Sequence, residues 1–228
     1  MRLKLPYVSM GRIDSLDLFG VTELIIFAFY KHNKNRYHKV LDIGANIGLH
    51  SVLMDRNGWQ VKAYEPDFSH FTHLVSNLKA NHSKRVSPFM CAVSTENGEA
   101  NFVRVLNNLT GNHLEGYKDS YGPRESLIVP TVDCRPLFKW ADFAKIDSEG
   151  NEADLIKTLT TEKVEMMVEV RNEKNARIIF DHCNKIDRKM WSQKSAWKQV
   201  KHIDHMPRMN REGSLFIGNK PPFDNHNP

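Results

Sequence analysis

The sequence predicts an α/β fold in which a mostly parallel, doubly wound sheet carries helices on both faces and ends in an antiparallel last strand. Three observations predict it. Short apolar runs alternate with stretches of helical periodicity along most of the chain, the pattern of repeated strand–helix–strand units. Acids stand at the ends of four of those runs, at Asp42, Glu65, Asp147 and Glu169, and a parallel sheet gathers such positions along one edge. The run Val40 to Ser51, VLDIGANIGLHS, breaks into glycines just before a new helical pattern, which reads as strand, tight turn, helix.

Taken in order, Asp14 or Ser15 can cap a helix that runs to about His32, with Asp17 and Glu23 toward its start and Lys31 and Lys34 near its end, charges that complement the helix dipole. Such a helix covers a sheet edge or the mouth of a site, and packing alone is enough to explain it. Its segment Leu24 to Tyr30, LIIFAFY, is far shorter than the roughly 20 residues of a membrane span and reads as a buried helix face. The first strand follows the charged residues 31–39. Gly44 and Gly48 let the backbone turn sharply and approach a ligand, while the next helix presents unpaired N–H groups to the same crevice. Asp42, at the strand end, needs a partner if it is buried, and a cofactor is one candidate. Gln60 to Tyr64 is a second strand, ending in Glu65-Pro66-Asp67. A carboxylate there can accept from both hydroxyls of a ribose diol, so the two signals together point to a nucleoside-containing cofactor.

From Phe68 to Asn81 a helix shows the stripe Phe68, Phe71, Leu74, Val75, Leu78. A third strand is expected at Val86 to Val93, ending in Cys91-Ala92-Val93-Ser94, where a small residue leaves space for an adenine ring. Asn97-Gly98 is a turn, and Glu99 to Leu106 alternates as a hairpin strand. Residues 107–126, with three glycines and a proline, read as a long loop of the kind that forms lids and binding segments; His113 lies in its middle, as a solvent-facing side chain or a catalytic one. Leu127 to Val132 is β-like and Pro136 to Trp140 a brief helix. Phe143, Ala144 and Ile146 then give a strand, and Gly150 turns into a helix carrying Ala153, Leu155, Ile156 and Leu159. Asp147, Glu149 and Glu152 crowd that junction. Acids near a helix N-terminus are favoured electrostatically, so capping is one reading of Glu149 and Glu152 and the favoured one for Glu152, but capping alone does not explain Asp147, which lies before the turn at the crevice mouth. Val164 to Val170 is another strand, closing with Glu169; Asn175 to Lys185 is helical, the next stretch is polar and irregular, and Trp197 to Ile203 with Gly213 to Gly218 form the last, antiparallel pair. The chain is expected to divide into a helical extension, 1–36, one main domain, 37–220, and a mobile tail, 221–228, with no second core.

At 228 residues the chain suits a single domain with a full core, and 40% hydrophobic with 26% charged residues is ordinary for a soluble globular protein. The net charge of +5 comes from basic residues scattered among acids, which favours a solvated surface over a nucleic-acid interface. Cys91, Cys134 and Cys183 are far apart and odd in number, which favours neither a disulfide framework nor zinc and suits a reducing cytoplasm. The opening MRLKLPYVSMGR lacks the pattern of a signal peptide, and no membrane contact is expected.

Glycine spacing separates two cofactors. The dinucleotide fingerprint G-x-G-x-x-G is met at Gly44 only, because Asn46 and Leu49 stand at its other two positions. The pattern D-x-G-x-G-x-G of class I S-adenosylmethionine-dependent methyltransferases is matched by Asp42, Gly44 and Gly48, with Asn46 departing. Four segments in order, LDIGANIGLHS (Leu41 to Ser51), YEPD (Tyr64 to Asp67), CAVS (Cys91 to Ser94) and KIDSEGNE (Lys145 to Glu152), resemble an FkbM-type methyltransferase over roughly residues 20 to 170. The family motif usually reads K-I-D-V-E-G, so Ser148 departs from it, and about fifty C-terminal residues match nothing in it.

The resemblance implies a Rossmann-like class I methyltransferase fold that binds S-adenosylmethionine. The turn Gly44, Ala45, Asn46 to Gly48 would pass the methionine portion, Asp42 would hold polar groups of the cofactor, Glu65 with Pro66 would take the ribose, Ala92 would border adenine, and Asp147 would face the sulfonium and the acceptor. The family's O-methylation implies a hydroxyl on a sugar, glycan or small metabolite as acceptor. Asp147 is the first candidate for the base, with Glu149 and His113 behind it. A magnesium ion held by Asp147, Glu149 and Glu169 is an alternative way to activate the hydroxyl. A nicotinamide oxidoreductase and a non-catalytic adenosyl-binding module are the competing readings.

Overall fold

In the computed structural model, which describes residues 3–6, 19–106, 111–117 and 122–223, the chain runs α1 (Val21–His32), β1 (Lys39–Ile43), α2 (Leu49–Arg56), β2 (Gln60–Tyr64), α3 (Phe68–Ala80), β3 (Val86–Phe89), β4 (Ala92–Ser94), β5 (Gly98–Val105), β6 (His113–Leu114), β7 (Arg124–Asp133), α4 (Cys134–Trp140), β8 (Phe143–Ile146), α5 (Glu152–Lys157), β9 (Glu165–Glu169), α6 (Glu173–Lys185), β10 (Lys189–Ser192), β11 (Lys198–Gln199) and β12 (Ser214–Gly218). Eight strands form one sheet in the order β11-β10-β12-β9-β8-β1-β2-β3, and β4-β7-β5-β6 form a second. In the large sheet β3, β2, β1, β8 and β9 are mutually parallel. Two strands run against their neighbours: β11 pairs antiparallel with β10 at one edge, and β12, last in sequence among the described strands, lies between β9 and β10 and is antiparallel to both. This is the Rossmann-like, doubly wound α/β architecture that the sequence predicts.

Alternation along the central strands sends neighbouring side chains to opposite faces. Leu41, Ile43, Ala144 and Ile146 join Leu155, Ile156 and Ile179 in one core cluster. Val40 and Phe143 join Phe29, Tyr30, Tyr37, Trp59 and Phe216 in the other, where Tyr37 stacks on Phe143 at 4.8 Å. Burying each large apolar side chain stabilises by about 1.5–3 kcal/mol, so both faces are needed to hold β1 and β8 at the centre.

Several expectations are corrected. Among the described residues the first helix begins at Val21 with Gly20 as its N-cap, and Asp14, Ser15 and Asp17 lie outside the described residues. The expected strand 86–93 is two strands in two sheets: among the described residues β3 is the outer edge of the large sheet, where Pro88 is tolerated because no further described strand needs its missing N–H, and β4 pairs with β7. The 107–126 segment is not all loop, since it holds β6 and the start of β7; residues 107–110 and 118–121 lie outside the described residues. The second sheet has its own small core of Ala92, Phe102, Leu114 and Val129, which a one-core reading did not foresee. The polar stretch after α6 contains β10, whereas the strand expected at 197–203 shrinks to Lys198–Gln199. The first residues of the expected tail are packed: the carbonyl of Pro222 accepts from Asn33 Nδ2 at 2.9 Å, and the Phe223 ring lies 6.0 Å from that of Phe29. Residues 224–228 lie outside the described residues.

Candidate active site

A cleft of about 260 Å³ opens at the carboxyl ends of β1, β2, β8 and β9, where a parallel sheet leaves its crevice. One wall is the glycine turn. Gly44 has φ +77°, and a Cβ there would lie 1.8 Å from the Asp147 carbonyl oxygen, so only glycine lets the turn cross the end of β8. Gly48, at φ +87°, packs where a Cβ would meet Leu74 Cδ1 at 2.4 Å. The turn closes on itself. The N–H groups of Gly44 and Ala45 both donate to the Tyr64 carbonyl at 3.0 Å, and that of Gly48 donates to the Ala45 carbonyl at 2.8 Å. The Asn46 N–H, on a residue at φ +51°, donates to Glu65 Oε2 at 2.8 Å.

Glu65 is therefore fixed from two sides, because its Oε1 accepts from the Asp67 N–H at 2.9 Å. It is 5% exposed, and burial pushes its carboxyl up to about 8 despite those two donors. Pro66 and Ala92 border the same cleft, as do Tyr64, Cys91, Phe102 and Leu114, which give it an apolar end. The second sheet reaches this end through a charged node. Asp67 caps α3 through the N–H groups of Ser69 and His70, and its other oxygen takes Arg104 Nε at 2.9 Å and Asn112 Nδ2 at 3.1 Å.

The opposite end is polar. Asp147 Oδ2 lies 3.1 Å from Lys145 Nζ, and its carboxylate is also hydrogen-bonded to Glu169. Burial acts to raise the Asp147 pKa, but the Lys145 ammonium and the Glu169 hydrogen bond outweigh it and hold the group below the usual range. Glu169 moves the other way, pushed well up by burial and by the Asp147 charge, so the shared proton resides on Glu169. Burial works against the Lys145 charge, yet Asp147, Asp42, Glu23 and Glu169 together keep its pKa raised. His50 also borders the cleft; its Nε2 is 3.0 Å from Glu23 Oε2, and its Nδ1 is 2.8 Å from the Tyr30 hydroxyl.

The predicted residues thus divide. Gly44, Ala45, Asn46, Glu65, Pro66, Ala92, Asp147 and Glu149 border one cleft. Gly48 supports the turn, and Asp42 is buried with Oδ2 accepting from Ser51 Oγ at 2.6 Å; neither borders the cleft. Glu149, at φ +57°, is turned to Arg171, 3.0 Å from Nη1. His113 is 1% exposed and faces away from the cleft, because alternation along β6 gives the cleft its neighbours Asn112 and Leu114. Glu152 is structural: it accepts from the Gly150 N–H at 2.7 Å and from Asn175 Nδ2 at 3.0 Å. Among the described residues no three His, Cys, Asp or Glu side chains are grouped to hold a metal ion, and of the Asp147, Glu149, Glu169 set Asp147 is paired with Lys145 and Glu149 with Arg171. Sequence reading missed Glu23, His50 and the wall formed by Phe102, Asn112 and Leu114. His50 stood inside the glycine motif and was legible; the others reach the cleft only through tertiary packing. No helix among the described residues is long and apolar enough to cross a membrane.

No family model matches the chain, and no curated protein matches it. Solved structures similar to it include an O-methyltransferase from Bacillus cereus in complex with SAH, at 10% identity and TM-score 0.49 over 87% of this chain and 81% of that one. A precorrin-6y C5,15-methyltransferase from Geobacter metallireducens GS-15 is similar at 12% identity and TM-score 0.46, covering 92% of this chain and 96% of that one. M. jannaschii TYW2 in complex with AdoMet is similar at 12% identity and TM-score 0.47, over 88% and 76% of the two chains.

Proposed function

We propose that this chain is an S-adenosylmethionine-dependent methyltransferase of FkbM type that methylates a hydroxyl of a sugar, glycan or small metabolite. The observation that carries the reading is the closed glycine turn. A dinucleotide site aims the amides of its turn at a pyrophosphate. Here the amides of Gly44, Ala45, Asn46 and Gly48 are engaged within the protein, and one of them holds Glu65. Such a turn suits a ligand with a ribose and no phosphate.

The remaining wall fits the same cofactor. Glu65 has lone pairs left for two ribose hydroxyls, and Tyr64, Ala92, Phe102 and Leu114 form an apolar place for adenine. Asn46 Oδ1, His70 Nε2 and Asn151 Oδ1 are buried on this wall without a hydrogen-bond partner among the described residues, atoms that a bound polar ligand would complete. When bound, S-adenosylmethionine supplies a methyl group on a positively charged sulfur. The work left to the protein is to align the hydroxyl and accept its proton. Asp147, kept ionised by Lys145 and oriented by Glu169, is the group for that role. Glu149 is secondary, since Arg171 already neutralises it.

Calorimetric titration with S-adenosylmethionine, S-adenosylhomocysteine and NADH tests the reading. Binding of the two adenosyl ligands and not of NADH is expected. Binding of NADH alone would move the chain to the oxidoreductases, and binding of none would leave a module without this cofactor.

A further inference from the structure

We infer that Glu23, carried by the helix that precedes the sheet, is the carboxylate that faces the positive charge of the methyl donor and makes the protein hold the charged donor more tightly than the neutral product. The inference rests on the cofactor reading above and concerns α1, a helix whose apolar face explains its packing but not its acid. Ile26, Phe29 and Tyr30 bury that face, while Glu23 borders the cleft.

The charge balance of the cleft singles Glu23 out. The carboxylates that border it are Glu23, Glu65, Asp147, Glu149 and Glu169. Glu65 belongs to the ribose end and is held by two backbone amides. At the polar end Asp147 has the Lys145 ammonium at 3.1 Å, Glu149 has the Arg171 guanidinium at 3.0 Å, and Glu169 holds the proton it shares with Asp147. Glu23 has an imidazole instead. His50 Nε2 lies 3.0 Å from Glu23 Oε2, a group that brings a full positive charge only when protonated. Among the described residues, Glu23 is thus the acid at this end whose contacting partner is an imidazole, while the Lys145 ammonium acts on it from farther away.

It is also held in place. The Tyr30 hydroxyl, on a side chain 1% exposed, fixes His50 through Nδ1 at 2.8 Å, so the ring presents Nε2 to the carboxylate. A fixed, incompletely neutralised carboxylate on the wall of a partly enclosed cleft attracts a cation more strongly than the same group on open surface. S-adenosylmethionine and S-adenosylhomocysteine differ in the methyl group and the positive charge on sulfur, so the change in the ratio of their affinities when Glu23 is substituted separates this attraction from the contacts the two ligands share.

The test is titration of the intact chain and of Glu23→Gln and Glu23→Asp variants with both ligands, each variant first checked by thermal unfolding, and repeated at raised salt. Glu23→Gln is expected to weaken S-adenosylmethionine by about fivefold or more, the factor that roughly 1 kcal/mol of charge attraction represents, and to leave S-adenosylhomocysteine unchanged. Glu23→Asp, which withdraws the carboxylate by one methylene, is expected to fall between, and the donor preference of the unaltered chain is expected to shrink as salt rises. Equal weakening of both ligands, or no change in either, would overturn the inference and leave the cofactor reading intact. An unaltered chain that binds neither ligand would overturn the cofactor reading itself.

Discussion

If Glu65 must be ionised to accept from a ribose diol, ligand affinity follows its titration. Burial has pushed this carboxyl up to about 8, so in the free protein at pH 6 only about one hundredth of it is ionised, against about nine tenths at pH 9. Affinity for S-adenosylhomocysteine should therefore rise by nearly two powers of ten between those limits, about tenfold per pH unit over the lower half. The stability of the free protein moves in the opposite sense. Between the ordinary glutamate value of 4.5 and about 8 the folded state keeps a proton that the unfolded chain has lost, so this group's contribution to stability falls as pH rises through that window. A Glu65→Gln variant cannot ionise, and its amide must set an NH₂ against the N–H of Asn46 or Asp67. It should bind about 10- to 100-fold more weakly at pH 9 and lose the pH dependence that Glu65 causes. Calorimetric titration of both proteins at pH 6, 7, 8 and 9 separates this from titration of the ligand, which is common to the two. A flat profile in the unaltered protein, or the same slope in both, would refute the reasoning.

Three other predictions follow from contacts at the same edge. Gly44→Ala places a Cβ 1.8 Å from the Asp147 carbonyl oxygen at a φ of +77°; a loss of about 3 kcal/mol or more is expected, seen as a melting temperature lower by roughly 10 °C, and an unchanged melt would sink the assignment of that glycine. Asp147→Asn should slow transfer to an identified acceptor by about 10²- to 10⁴-fold while S-adenosylhomocysteine binding stays within a few fold, and full activity would remove Asp147 as the proton acceptor. Arg104→Ala leaves Asp67, 1% exposed, without its cation; a loss of about 3 kcal/mol is expected, with weaker ligand binding as the wall from the second sheet loosens, and unaltered binding would show that this wall does not touch the ligand.

What the sequence made legible was local. The turn at Gly44 and Gly48, the acid after β2 and the acid after β8 are each set by a strand end and the next few residues, so a linear reading places them. The second sheet is a different matter. β5 pairs with β7 from Gly98↔Thr131 to Val105↔Arg124, contacts between segments far apart in the chain, and β7 is exposed over most of its length, so it lacks the alternation that marks a half-buried strand. The break between β3 and β4 carries no glycine, and only the partners on either side, β2 and β7, reveal it. His113 illustrates the same limit at one residue: its type suggested chemistry, but a one-residue step along β6 turns it from the cleft. Glu23 shows the converse, an acid that reads as a dipole partner until the helix is docked.

The position of β12 sets when the active edge can exist. Residues 214–218 pair with β9 on one side and β10 on the other, and Ser214 is the register partner of Glu169. During synthesis, β9 would wait with one edge unpaired until residues 214–218 had emerged, and so would the carboxyl that shares a proton with Asp147. Until then Met166, Met167 and Val168 would offer an apolar strand edge to any neighbour, the usual beginning of misassembly. A ribosome-bound chain halted before residue 214 should therefore depend on chaperones and be unable to organise the transfer end of its cleft, whatever the state of its glycine turn.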